Sequence, residues 1–164
     1  MEEETWLPVE GFPDYEVSHY GRVRNAHTGR ILGIFDNGRG TLQVNLRRDK
    51  TNVVRAVHRL VAEAFLHTAP DGAVPIFLDG DRTNLRADNL EWRPLWFARA
   101  RTQQMRRGTP RNNRPVKHQR TGRVFANAWE AAMEFDDLED HILLSARNGG
   151  SFSARSGSYE FHWD

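Results

Sequence analysis

Apolar and polar residues alternate from Thr41 to Leu46, with Leu42, Val44 and Leu46 on one side and Gln43, Asn45 and Arg47 on the other. A period of two is the mark of a half-buried strand. The same rule predicts two short strands around Gly21, carrying Tyr15 and Val17 before it and Arg22, Val23 and Arg24 after it. A further strand from Arg30 to Phe35 leads into the turn Asp36-Asn-Gly-Arg-Gly40, and the Arg47–Asn52 turn returns the chain through Val53 to His58. At Arg59 the period changes. Leu60, Val61, Ala64 and Phe65 fall on the buried side of a helix that ends near Leu66. Val74 to Leu78 reads as a strand in which Pro75 marks an edge or a start. Pro94 then opens a second helix running to Met105 or Arg106, with Trp96, Phe97, Ala100 and Met105 packing inward and Arg99, Arg101, Arg106 and Arg107 outward.

The tail predicts a hairpin over 116–125, turning at Arg120-Thr-Gly122. A short helix from Ala128 to Phe135 follows, with Asn127 and Glu130 at capping-box spacing. A second helix from Leu138 to Asn148 carries Ile142, Leu143 and Ala146 inward and stops at Gly149-Gly150. The last strand places Tyr159, Phe161 and Trp163 on one face. These elements describe an α+β protein: a β module over 1–50, a ββα core over 51–106, a basic linker over 107–115 and a C-terminal module of hairpin and two helices over 116–164.

Composition narrows the class. A chain of 164 residues with 38% hydrophobic content supports one compact domain or two small ones. The absence of cysteine excludes a disulfide scaffold and zinc thiolate sites. No apolar run approaches membrane length and the start is acidic, so the expectation is a cytoplasmic protein with no membrane partner.

The net charge of +1 conceals a segregation. Between Trp92 and Trp129 every charged residue is basic, including Arg93, Arg99, Arg101, Arg106, Arg107, Arg111, Arg114 and Lys117. From Glu130 to Asp140 the sign inverts, with Glu130, Glu134, Asp136, Asp137, Glu139 and Asp140. The basic stretch is a candidate phosphate contact, since Arg in an extended segment suits a narrow minor groove. The acidic one is a candidate protein-docking surface or a solvated face, because acids repel phosphate.

Two stretches carry the most specific spacing: Val57-His-Arg-Leu-Val-Ala-Glu-Ala-Phe65, and Val74 to Trp92, which contains Asp79-Gly-Asp81 and Asn89-Leu-Glu-Trp92. Together they resemble the core of HNH homing endonucleases of the phage and intron-encoded branch. Laid over this chain without gaps, the family pattern implies a metal-binding acid at Ile76, a general-base His at Phe77 and a helical metal ligand at Ala98 or a close neighbour. None of these three side chains coordinates a cation or accepts a proton. The motif residues that remain are His58, Asp79, Asp81 and Asn89; the resemblance makes His58 part of the scaffold and Asn89 the residue that ties the loop together. Asp79, Asp81 and Asn84 offer oxygens in a loop, and Asp and Asn in turns mostly bond their own backbone.

The resemblance extends outward. Trp6, Gly11, Phe12, Tyr15, Val17, Ser18, Gly21 and Val23 follow the pattern of the small modular segment that often precedes this core, with His19 in place of an Asn. The tail Gly157-Ser-Tyr-Glu-Phe-His-Trp163 resembles the closing strand of the family's helix-turn-helix module. The whole implies a protein of phage or mobile-element origin, resident in the host cytoplasm, that binds double-stranded DNA with cleavage lost or severely reduced and no metal cofactor. About six engaged phosphates give a log–log salt slope near −5. Two other readings stay open. One is an active nuclease with a rearranged site, Asp79 and Asp81 holding Mg²⁺ or Mn²⁺ and His58 as base. The other is a phage structural or host-machine interaction protein using the acidic helices over 130–140.

Overall fold

The computed structural model describes residues 3–148, 152–154, 157–159 and 161–163. It divides into two compact units, 1–98 and 99–164.

In the first unit, β1 (Trp6–Val9), β2 (Phe12–Ser18) and β3 (Val23–Asn25) form an antiparallel sheet in that order. The β4 (Ile34–Asp36), β5 (Leu42–Arg48) and β6 (Thr51–Ala56) strands form a second. The alternation read at Leu42–Leu46 is what the sheet uses: Val44 and Leu46 are fully buried, while Asn45 and Arg47 are exposed. The expected strand over 30–35 is shorter, because only Ile34–Asp36 joins the sheet and Ile31 makes an isolated bridge to Arg24. Helix α1 (Val57–Phe65) starts two residues earlier than its apolar period indicated and buries Val57, Leu60, Val61 and Ala62. It is followed by β7 (Ala73–Phe77), a 3₁₀ turn (Ala87–Asn89) and β8 (Leu90–Pro94), the last pairing with β7 as an antiparallel ribbon. One core joins these parts, with Phe12, Val17, Val44, Leu46, Leu60, Leu85 and Trp92 all buried in it.

Gly21 locks the first sheet to the loop before β8. Its φ is +84°, a left-handed conformation that glycine adopts at no steric cost, and a Cβ there would lie 2.3 Å from Leu85 Cβ. Nearby, the Ala87 N–H donates to the His19 carbonyl at 2.8 Å.

Helix α2 (Leu95–Arg107) follows β8 without a break. It departs from the expected pattern at Trp96, which is 59% exposed where inward packing was expected, while Phe97 is buried. Arg101, expected to face outward, is only 3% exposed.

In the second unit, β9 (Val116–His118) and β10 (Val124–Phe125) form the hairpin, closed by a bond from the Gly122 N–H to the His118 carbonyl at 2.8 Å. The helices α3 (Ala128–Glu134) and α4 (Glu139–Arg147) follow. The cap of α3 follows the predicted capping box in one half and shifts it in the other: the Glu130 N–H donates to Asn127 Oδ1 at 2.9 Å, while Glu130 Oε2 accepts at 2.8 Å from the Ala126 N–H, one residue before the cap. The end of the chain differs from the single strand expected. The β11 (Phe152–Ala154) and β12 (Gly157–Tyr159) strands pair with each other, whereas β13 (Phe161–Trp163) pairs with β9. Phe161 is buried with Val116, Phe125, Ala128 and Ile142. The expected helix stop at Gly149-Gly150 and the Tyr159 side chain lie outside the described residues.

Candidate functional site

The ribbon of β7 and β8 sets its register by pairing Val74 with Arg93, Ile76 with Glu91 and Phe77 with Leu90. The loop that leaves β7 is built from side chains bonding to backbone. Asp79 Oδ1 accepts from the Asp81 N–H at 2.8 Å, and Asp81 Oδ1 accepts from the Thr83 N–H at 2.8 Å and the Thr83 hydroxyl at 2.7 Å. Those bonds, the hydroxyl first, hold the Asp81 carboxyl below the usual range. Asn89 is the centre of this loop. Its Oδ1 accepts from the Asp79 N–H at 3.1 Å, and its Nδ2 donates to Asp79 Oδ1 and to the Asn84 carbonyl, each at 2.9 Å. Asp79 Oδ2 accepts from Asn84 Nδ2 at 2.7 Å. The polar loop residues are thus tied to one another.

Above this loop the three positions of interest carry no reactive group. Ile76 is 7% exposed, the Phe77 ring is half-buried, and Ala98 lies in the first turns of α2. The His58 ring lies 5.2 Å from the Phe77 ring, centroid to centroid. Burial, then the positive charges of Arg82 and Arg59, hold its imidazole below the usual histidine range. An HNH site needs hard oxygen ligands on one cation and an imidazole at the attacking water. The donor set at these three positions does not fit a resident divalent cation, because all three are hydrocarbon. Among the described residues no group of three His, Asp or Glu side chains converges as metal ligands do.

The basic stretch divides by environment. Arg99, Arg106, Arg114 and Lys117 are exposed. Arg114 lies over the Trp163 ring at 4.5 Å. Arg93 is ion-paired with Glu91 at 2.9 Å and lies over the Phe97 ring at 5.0 Å. Two residues expected as DNA contacts are instead turned into the second unit. Arg101 Nη1 donates to the Asp137 carbonyl at 2.6 Å and to the Ala132 carbonyl at 3.4 Å. Arg107 is ion-paired with Glu139, whose side chain is 1% exposed. Between them Gln104 accepts from the Glu139 N–H at 2.8 Å. Arg101, Gln104 and Arg107 recur every three residues, so one face of α2 is a polar seam.

The acidic stretch is the other half of that seam. The Arg111 N–H donates to Glu139 Oε1 at 2.7 Å, and its guanidinium pairs with Asp140 at 2.8 Å. Asp136 pairs with Arg101, and Glu134 with Arg123 at 2.7 Å. Asp137 is buried, its Oδ1 taking the Leu138 N–H and the His141 ring, each at 2.7 Å. Charge order along the sequence signals only that opposite signs are available; which arginines are consumed at home depends on the helix phase. A groove of about 210 Å³ runs beside the seam, bounded by Gln103, Gln104, Arg107, Arg111, Glu139 and Asp140.

A second polar surface lies on the β4–β5–β6 sheet. Asn45, Arg47, Asn52 and the apolar Phe35 and Val54 are exposed, and Gln43 is half-buried. The register sets Gln43 beside Phe35 and Asn45 beside Val54. The period-two alternation already placed Gln43, Asn45 and Arg47 on this outer side.

Comparison with known proteins gives three findings. Residues 4–47 match the NUMOD4 motif and residues 55–94 match an HNH endonuclease family model. Two uncharacterised HNH endonucleases of Acanthamoeba polyphaga mimivirus, L247 and L245, are 37% identical over 94 residues and 33% identical over 87 residues. Those matches take in 54% and 53% of this chain, which spans about a quarter of the length of these curated relatives, 23% and 26%. The solved structure of the HNH homing endonuclease I-HmuI, described for its DNA binding and cleavage, is similar over 98% of each chain, with a TM-score of 0.57 at 20% identity. No helix among the described residues is long and apolar enough to cross a membrane.

Proposed function

We infer, since the chain belongs to the HNH homing endonuclease family, that it binds double-stranded DNA and has lost or nearly lost phosphodiester hydrolysis. The observation that carries this reading is the end of β7: a hydrocarbon pair, Ile76 and Phe77, stands before an Asp79–Asn89 loop whose hydrogen bonding is intact. A frame kept in such order with no base and no ligand is a frame kept for binding. Loss of the general base alone removes a factor of about 10²–10⁴ in rate.

Binding rests on two kinds of contact. Arg99, Arg106, Arg114 and Lys117 meet phosphates through counterion release. The outer face of the β4–β5–β6 sheet offers Gln43, Asn45, Asn52 and Arg47, the side chains that pair with adenine and guanine edges. The domain scheme is a β module, a degenerate ββα core, a basic segment and a helix-turn-helix-like module; the viral relatives support a viral or mobile-element origin, and action in the host cytoplasm belongs to the same reading.

With Arg101 and Arg107 held in the seam, roughly four phosphates are engaged, and the log–log slope of affinity against salt is about −4. Fluorescence anisotropy of a labelled duplex, titrated between about 50 and 200 mM salt, measures it. A slope near zero would sink the DNA-binding reading.

A further inference from the structure

We propose that the start of α4 is an intramolecular competitor for DNA: Asp140 holds the Arg111 guanidinium until a backbone phosphate displaces it. This rests on the DNA-binding reading above. It goes beyond that reading by making affinity depend on a latch inside the second unit.

The two acids at this helix start differ in kind. Glu139 is a fixed anchor, with its side chain 1% exposed, one oxygen paired with Arg107 and the other accepting the Arg111 N–H at 2.7 Å. It fixes the backbone at 111 and cannot be drawn out without stranding a buried charge. Asp140, the next residue, faces water. Its side chain and that of Arg111 are each 57% exposed, and the pair closes at 2.8 Å. An exposed pair of this kind is weak and screened by salt, so a phosphate with two free oxygens outcompetes it.

Position makes the exchange one of affinity rather than of folding. Because the Arg111 backbone stays on Glu139, the guanidinium swings from carboxylate to phosphate while the chain beneath it keeps its place. The groove bounded by Gln103, Arg107, Arg111 and Asp140 gives a phosphate access to that guanidinium from the solvent side. Asp140 itself also belongs where it is, since an acid in the first turn of a helix is stabilised by the helix dipole. Once Arg111 leaves, Asp140 keeps that partner.

The experiment is a double-mutant cycle on the full chain, with binding of a labelled duplex read by anisotropy at one low salt concentration. D140N is expected to tighten binding about two- to fivefold and R111A to weaken it by a similar factor. The decisive reading is the coupling: in the R111A background D140N is expected to change affinity by less than about 1.5-fold. An equal tightening in both backgrounds would assign the effect to the general field of the molecule, and no tightening in the wild-type background would leave Arg111 without a competitor; either overturns the proposal. D140S repeats the test with a second uncharged side chain. If the unaltered chain binds no duplex, the DNA-binding reading fails first and takes the latch with it, a result distinct from binding without coupling.

Discussion

Asn89 is 8% exposed and satisfies donors and acceptors from three directions, the Asp79 N–H, the Asp79 carboxylate and the Asn84 carbonyl. Asn89→Ala strands several of these groups at once and is expected to lower stability by about 2–3 kcal/mol, read from urea unfolding. His58 makes a pH-dependent contribution. Its folded-state pKa is held below the unfolded value of about 6.5, so the unfolded chain binds protons more readily. Stability is therefore full above pH ~6.5 and is lost as pH falls through the lowered folded value. In H58Q the drop in melting temperature between about pH 7.5 and 5.5 is expected to shrink; an unchanged drop would remove His58 as its source. Single residues with local work were legible beforehand, because an Asp two places before a backbone N–H needs only its own loop. Arg101 was not, because whether a guanidinium meets solvent or the carbonyls of Ala132 and Asp137 depends on what folds against it.

Elements carry the next set of consequences. Gly21 sits where the first sheet meets Leu85, and G21A places a Cβ at 2.3 Å from Leu85 Cβ on a backbone at φ +84°. Overpacking and left-handed strain together cost about 3 kcal/mol, which thermal unfolding reads as a large drop in melting temperature. The ribbon of β7 and β8 supports a constructive test. Ile76→Asp, Phe77→His and Ala98→Asn installed together are expected to create metal-dependent nicking of plasmid DNA. A folded, DNA-binding triple variant that stays inert would count against the alignment of these positions. Strands of alternating pattern, such as β5, could be read from the sequence because one face is core. The end of the chain could not, because Phe161 and Trp163 join β9 rather than continue β12, a choice made by long-range pairing.

At the scale of the whole molecule, a net charge of +1 hides two regions of opposite sign, and Glu134, Asp136, Glu139 and Asp140 of the acidic one pair with arginines of the basic one within the second unit. The acidic helices therefore have less charge to offer a protein partner than their composition indicates. The exposed cations Arg99, Arg106, Arg114 and Lys117 are the ones the proposed DNA binding draws on. The first unit sets Ile76 and Phe77 at the end of β7, before the loop tied by Asn89. The measurement that tests this account most directly is the conversion of supercoiled plasmid to nicked circles by the unaltered chain, with Mg²⁺ or Mn²⁺ added at protein concentrations that saturate binding. The expected result is no metal-dependent nicking above the protein-free background. Nicking that requires the metal and disappears in Asp79→Ala or Asp81→Ala would contradict it.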